Sequence, residues 1–305
     1  MSTVLRQYFA ELQNPSKPIV ASKLANLSDL SPEEIHIFRE EWPHIDAERR
    51  RAIMGLLIDI AADNLELDFD KIFYVCLNDE DNEVKIRAIE GLYDCEDRSL
   101  INIFVDTINQ NNDNSVRAAA AGALGTFALM AELGELTVKE QQEIENTLIT
   151  AFNNKNEPVE IRCKALEAIS PLSKPPVEEM IRIAYQSDVE ELRASSIYAM
   201  GRNCNEGWLP LLLKELNSPN EWLKCEAIQA CAELESEEAV PRLVQLLSDD
   251  STIIQVAAIE ALGHIGGPEA KKALQTLQYS DIDDLQQEVE DALIEIDFWD
   301  DPASI

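Results

Sequence analysis

The chain has 305 residues, of which 46% are hydrophobic and 27% are charged, and its formal net charge is −33. The apolar fraction is large enough to bury a core, which excludes a wholly disordered chain. The negative charge repels the phosphates of nucleic acids and anionic membrane surfaces, so we expect neither as a partner. Such a charge also keeps a helical protein soluble and monomeric, and we expect a monomer.

The first 45 residues form an irregular start that the sequence predicts to be a helical cap. Residues 19–42 have the pattern of two helices, with a helix start at Ser31-Pro32. No apolar segment of signal-peptide or membrane-spanning length occurs. The six cysteines include no C-x-x-C pair, which favours a reducing compartment. We therefore predict a cytoplasmic protein.

A pattern of one aliphatic, one small and one apolar residue, spaced four apart, recurs along the rest of the chain. On a helix these three residues share one stripe. Over the second half the pattern repeats every 31 residues, as Ile161/Ala165/Ile169, Leu192/Ser196/Met200, Leu223/Ala227/Cys231, Ile254/Ala258/Leu262 and Leu285/Val289/Leu293. Earlier copies are Val84/Ala88/Leu92 and Val116/Ala120/Leu124, and the longer interval that follows them predicts an insertion near residues 126–141.

A second apolar column keeps the same step on a preceding helix, 11 residues before the aliphatic position. Its members are Ile181, Leu212, Leu243 and Leu274. Two columns with one period indicate units of two helices, and only stacked units can bury their apolar faces. The sequence thus predicts an all-α solenoid, a right-handed α-α superhelix of about seven to eight helical pairs. We assign it to residues 46–297, followed by an acidic tail at 298–305.

The repeats resemble a known family. Segments such as Glu238-Ala239-Val240-Pro241-Arg242-Leu243 and Ala257-Ala258-Ile259-Glu260-Ala261-Leu262-Gly263 look like the short HEAT repeats first associated with phycobilisome lyases. The resemblance covers residues 46–297 and implies an armadillo-like superhelix. Related repeats occur in bilin lyases, a di-iron hydroxylase, DNA glycosylases and many scaffolds, so the resemblance implies a fold more strongly than an activity.

This family usually has a basic residue directly after the aliphatic position. That position holds Lys85, Arg117, Arg162, Arg193, Lys224 and, as an exception, Gln255. Acidic residues precede the second helices in the turns, at Asp81, Asp113, Asp188 and Asp250. We expect the two sets to form a ladder of ion pairs between repeats, and the acidic residues to cap the second helices.

Side chains for catalysis or metal binding are scarce. The three histidines are His36, His44 and His264, and the His-Glu dipeptides that resemble iron ligands in the hydroxylase-like relatives do not occur. We expect His264, at a helix end, to cap a carbonyl group. We therefore predict no cofactor, no metal and no enzyme activity. A bilin-lyase-like role in pigment attachment stays open as an alternative, as does a regulatory subunit that senses a small ligand.

The second helices of such solenoids line the concave face, which is the usual binding surface. Six residues after the aliphatic position, a column off the core stripe contains three glutamates and no basic residue. We take it as the candidate partner-binding surface: Glu90, Glu167, Tyr198, Gln229 and Glu260, with Gly122 between them. The predicted function is a scaffold or adaptor whose protein partner, given the charge, is basic. A merely solvated face is the alternative. We expect Trp208 and Trp222 to pack in the core.

Overall fold

The computed structural model describes the backbone of residues 2–278 and 285–300, and the side chains of residues 4–278 and 285–298. The described residues contain no strand, which confirms the predicted all-α fold. The α-helices are α1 (Ser2–Leu12), α2 (Ala21–Leu24), α3 (Pro32–Glu41), α4 (Ala47–Asp63), α5 (Asp70–Cys76), α6 (Asn82–Gly91), α7 (Ser99–Gln110), α8 (Asn114–Glu132), α9 (Val138–Asn153), α10 (Val159–Ile169), α11 (Pro175–Tyr185), α12 (Glu190–Arg202), α13 (Leu209–Glu215), α14 (Glu221–Glu233), α15 (Val240–Leu246), α16 (Thr252–Ile265), α17 (Gly267–Gln278) and α18 (Gln286–Asp300). Short 3-10 helices lie at Ala25–Leu27, Trp42–His44, Glu206–Trp208 and Glu237–Ala239.

The chain forms two compact units, unit 1 (Met1–Ala168) and unit 2 (Ile169–Ile305). In unit 1, α5 packs on α6 and α7 on α8, while the second helices α4, α6 and α8 lie side by side. In unit 2 the pairs are α11/α12, α13/α14, α15/α16 and α17/α18, and their second helices α12, α14, α16 and α18 form one row. The predicted stacking of helical pairs is therefore confirmed within each unit.

Both predicted apolar columns lie in the core. The aliphatic and small residues of the triplets are at most 2% exposed, and the last apolar residue, Leu293, is half-buried. The first-helix column is fully buried at Ile181, Leu212, Leu243 and Leu274. Prolines at the starts of α13 and α15 supply the fixed backbone angle that a first helical turn needs.

Small residues allow the second helices of unit 2 to approach one another closely. Seven residues after the aliphatic position, each repeat of unit 2 has an alanine: Ala199, Ala230, Ala261 and Ala292. Two residues further on are Gly201, Ala232 and Gly263. A Cβ added to Gly201 would lie 2.8 Å from Ala230 Cα, and one added to Gly263 would lie 2.8 Å from Ala292 Cβ. At both positions the approach of the next helix requires glycine.

Side-chain caps begin several of the second helices. Asp81 accepts the backbone N–H of Val84 at the start of α6, and Asp113 accepts two backbone N–H groups at the start of α8. Helices α12 and α16 have no side-chain cap, so the prediction for Asp188 and Asp250 is wrong. In front of α16 it is Asp249 that accepts the N–H of Ser251, at 3.1 Å.

Two of the predicted basic residues form the expected ion pairs between repeats. Arg117 Nη2 lies 2.8 Å from Glu157 Oε1, and Lys224 Nζ lies 2.8 Å from Asp249 Oδ2. Arg117 also donates through Nε to the carbonyl of Ile108, at the end of the preceding helix. The ladder is thus confirmed at these positions, with carboxylates other than those the sequence suggested.

The predicted insertion falls on two long helices. Helix α8 has 19 residues and α9 has 16, whereas the helices of unit 2 have at most 15. Gly134, with φ of +77°, forms the turn between α8 and α9. The predicted acidic tail at 298–305 starts inside α18, and residues 301–305 lie outside the described residues.

Asp81 leads to a prediction about stability at acid pH. The Arg51 guanidinium donates to both carboxylate oxygens of Asp81, at 2.9 and 2.5 Å, and lowers the pKa of this group from 3.8 to about 2. Folding therefore favours the ionised form, and this contribution to stability is present above about pH 4 and is lost as the pH falls toward 2. Asp81→Asn keeps a capping residue and should lower the free energy of unfolding by about 1 kcal/mol at neutral pH, because Arg51 is half exposed.

Urea unfolding of wild type and Asp81→Asn at several pH values between 3 and 7 measures this effect. We expect the difference between the two proteins to shrink at the acid end of that range. Asp81→Ala is the companion variant, because it also removes the cap, and that further loss of about 1 kcal/mol should persist at low pH. A difference between wild type and Asp81→Asn that stays constant with pH would contradict the assignment.

Candidate partner-binding groove

The structure brings three of the five predicted surface residues together. Tyr198 on α12, Gln229 on α14 and Glu260 on α16 all line one open pocket of about 310 Å³ in unit 2. We call this pocket the unit 2 groove. It crosses the second-helix row from α12 to α18, so it lies on the surface that the sequence predicted for partner binding.

Alanines form the apolar part of the groove. Ala230, Ala232, Ala257 and Ala261 line it between the longer side chains of neighbouring helices. Ala230 belongs to the set that permits close packing of the second helices, where it faces Gly201. Small residues required for packing thus leave a depression in which a partner's side chain has room.

Charged side chains surround this depression. Four glutamates line the groove: Glu226, Glu233, Glu260 and Glu295. Positive charge comes from Arg202 and, when it is protonated, from His264. The groove is therefore acidic overall, in agreement with the prediction, although the sequence analysis did not include Arg202 or His264 in the surface.

Two pairs of side chains connect consecutive second helices within the groove. Arg202 Nη1 lies 3.2 Å from Glu233 Oε2, and His264 Nδ1 lies 3.2 Å from Glu295 Oε1. In the sequence, these residues all lie ten positions after the aliphatic residue of their repeats. The expectation that His264 caps a carbonyl is wrong, because its ring faces a carboxylate on the next helix.

The two tryptophans of one repeat have different environments. Trp208 is 3% exposed and donates to Asn203 Oδ1 at 3.0 Å, as expected for a core residue. Trp222 is 44% exposed and donates to Glu226 Oε1 at 2.9 Å. The prediction that Trp222 packs in the core is wrong. Its indole instead holds one of the groove carboxylates from the start of α14.

The other predicted surface residues belong to unit 1. Glu90 is exposed near the end of α6, where partial burial by its neighbours raises the pKa of its carboxyl group. Glu167, on α10, pairs with Lys164 at 2.7 Å. A Cβ on Gly122 would be in ordinary contact with Lys164, and its neighbour on the other side is the hydroxyl of Tyr93. Charge on this face of unit 1 is thus mixed rather than uniformly acidic.

Acidic side chains along the groove can bind a cation, and the alanines can accommodate an aliphatic chain. Among the described residues, no group of three or more His, Cys, Asp or Glu side chains is arranged to hold a metal ion. None of the described helices has both the length and the apolar character of a membrane span.

Comparison with known sequences identifies the repeats. The family model described as HEAT repeats matches residues 209–294, which contain α13 to α17 and much of α18. The chain is a HEAT-like repeat protein. This confirms the family resemblance seen in the sequence. No curated protein sequence matches the chain.

Several solved structures are similar to this HEAT-repeat chain. They include Escherichia coli YibA (17% identity, 78% of this chain and 96% of that chain covered, TM-score 0.46). The CpcE–CpcF complex of phycocyanin lyase from Nostoc has 16% identity, covers 74% of this chain and 94% of that chain, and has a TM-score of 0.48. A designed armadillo repeat protein in complex with the peptide (KR)4 has 19% identity, with 66% and 99% covered and a TM-score of 0.39. At these values the similarity says nothing about activity, ligand or partner.

Proposed function

We propose that this HEAT-repeat chain is a protein-interaction module, a scaffold or adaptor, that binds a basic segment of a partner in the unit 2 groove. The observation that carries the proposal is the combination of an alanine-lined depression with four glutamates around it. Repeat proteins commonly bind partners along the surface of their stacked helices. A binding surface of this composition suits long basic side chains, which have apolar stems and charged ends.

The charge of the whole chain supports the same proposal. With a net charge of −33, the chain attracts a basic partner over distances longer than direct contact. Association of such a pair should be fast at low ionic strength and should slow as salt screens the charges. The same charge repels a second copy, so we propose a monomer, and light scattering should give a mass of 34.2 kDa. We propose a cytoplasmic location on the cysteine spacing alone.

Glu90 and Glu167 remain proposed contacts in unit 1. Because Lys164 neutralises part of the charge of Glu167, we expect these residues to contribute less to binding than the groove glutamates. Exposed charges at the edge of an interface affect association rates more than affinity.

Reversal of charge in the groove tests the proposal. We would measure fluorescence anisotropy of a labelled peptide of alternating Lys and Arg with the full-length chain at low and at half-molar salt. Glu260→Lys combined with Glu295→Lys should weaken binding at low salt by about tenfold or more, because two attractive charges become repulsive. Half-molar salt should weaken wild-type binding as well.

A matched control lies in the same unit. Glu237 and Glu238 are exposed and do not line the groove, so Glu237→Lys with Glu238→Lys changes the net charge equally. This control should bind the peptide nearly as well as wild type. Equal losses in the two double variants would mean that binding follows net charge only, and the groove proposal would then fail.

A further inference from the structure

The unit 2 groove has cations at its two ends and acceptors between them. At one end Arg202 on α12 pairs with Glu233 on α14, and at the other His264 on α16 pairs with Glu295 on α18. Between these pairs the groove is lined by Glu226, Gln229 and Glu260, none of which is a donor of positive charge. The pattern of the groove therefore leaves the position of a cation to the partner.

The Arg202–Glu233 pair shows which cation suits this spacing. Its guanidinium reaches from one second helix to a carboxylate on the next, at 3.2 Å. The repeat places Glu260 on the helix that follows Glu233, on the same row. A second guanidinium, coming from the partner, would meet a similar arrangement one helical step further along.

The other lining groups favour guanidinium over ammonium. A guanidinium is flat and has five donors in fixed directions, so it can bind Glu260 and the Gln229 carbonyl together. It also stacks on aromatic rings, and Tyr198, which is 40% exposed, lines the groove on α12. An ammonium is compact and strongly hydrated, and it gains less from a ring or from a depression lined by alanines.

We infer that the unit 2 groove recognises an arginine side chain of the partner, with Glu260 binding the guanidinium and Tyr198 providing the surface on which it stacks. The aliphatic stem of that arginine lies on the alanines of the groove. The inference rests on the proposed function and narrows it from a basic segment to one that requires arginine. Glu260 and Tyr198 are then the residues that determine specificity.

Three labelled peptides test the inference with the full-length chain. They have identical glycine- and serine-rich sequences and carry arginine, lysine or citrulline at the same positions, and citrulline keeps the shape of arginine without its charge. We expect the arginine peptide to bind about fivefold more tightly than the lysine peptide, and the citrulline peptide to bind weakest. Glu260→Gln should weaken the arginine peptide by about fivefold, and the exposed control Glu237→Gln should not.

Variants of Tyr198 separate its ring from its hydroxyl. Tyr198→Phe should keep the preference for arginine, and Tyr198→Ala should reduce it to within about twofold of lysine, since stacking is lost. Circular dichroism melting shows that each variant is folded, and Tyr198→Phe provides the test if Tyr198→Ala is not. Equal affinity of the arginine and lysine peptides for wild type would overturn the inference and leave the proposed function standing. If neither peptide binds at low salt, the proposed function itself fails.

Discussion

Replacing Asp79 with alanine should lower the free energy of unfolding by about 3–5 kcal/mol, the largest loss that we expect from any ion pair in the chain. The Asp79 and Arg50 side chains are 3% and 10% exposed, and Arg50 Nη2 lies 2.9 Å from Asp79 Oδ1. Removing the carboxylate would leave a guanidinium buried without a counter-charge, and this is far more costly than the loss of an exposed pair.

The carboxylate of Asp79 also organises its surroundings. Its Oδ2 accepts the indole N–H of Trp42 at 2.7 Å, and its Oδ1 accepts the backbone N–H of Asp81 at 2.9 Å. Arg50 in turn donates to the carbonyl of Ile45 at 2.8 Å. One carboxylate thus connects the end of α3, the start of α4 and the turn before α6, so its removal leaves several buried donors unsatisfied.

Urea unfolding, followed by circular dichroism and by tryptophan fluorescence, measures this loss. Glu40→Ala is the matched control, since Glu40 pairs with Arg6 at 2.7 Å but both side chains are nearly half exposed. That variant should lose less than about 1 kcal/mol. In Arg50→Met combined with Asp79→Asn, no buried charge remains unpaired, and the double variant should be more stable than the sum of the single losses predicts. If Asp79→Ala were no less stable than Glu40→Ala, the buried pair would have no special role.

The sequence predicted those parts of the fold that depend on local spacing. Burial of one helical stripe follows from apolar residues four apart, so Leu192, Ser196 and Met200 could be placed in the core without knowledge of their neighbours. The 31-residue step carried this assignment from one repeat to the next. The column six residues on could be placed on the surface for the same reason, and in unit 2 it forms the groove.

Features that depend on contacts between repeats could not be predicted in this way. Trp208 and Trp222 have similar apolar character, and only the course of the chain decides that one is buried and the other exposed. With 58 acidic residues in the chain, the sequence gives no sign that Asp79 is the one that is buried with Arg50. Pairing of Arg202 with Glu233 likewise depends on which faces of two helices meet.

One missed feature did leave a signal in the sequence. The alanines seven residues after the aliphatic position recur every 31 residues, as do the small residues two positions later. In a chain rich in alanine this recurrence is easily taken for helix propensity. Its physical meaning appears only when Gly201 and Gly263 are seen to face Ala230 and Ala292 across the second-helix row.

Gly201→Ala should therefore lower the free energy of unfolding by about 1–3 kcal/mol, although alanine is the better helix former. The added Cβ would lie 2.8 Å from Ala230 Cα and 3.3 Å from Glu233 Cβ. Because the nearest atom belongs to the backbone, the clash can be relieved only if α14 moves away from α12. Gly122→Ala is the matched control within a helix, since its nearest neighbour, the Lys164 side chain, is 3.7 Å away. That variant should be more stable than wild type by about 0.5–1 kcal/mol.

The same substitution should also weaken binding, because it separates the two sides of the unit 2 groove. Tyr198 and Arg202 lie on α12, whereas Glu226 and Glu233 lie on α14, so a shift between these helices changes the spacing of the groups proposed to hold the partner. We expect Gly201→Ala to bind the arginine peptide more weakly than wild type at a temperature where both are folded, and Gly122→Ala to bind it as wild type does. If Gly201→Ala were destabilised and yet bound normally, helix packing would be separable from recognition, and the peptide would have to bind away from the α12–α14 step.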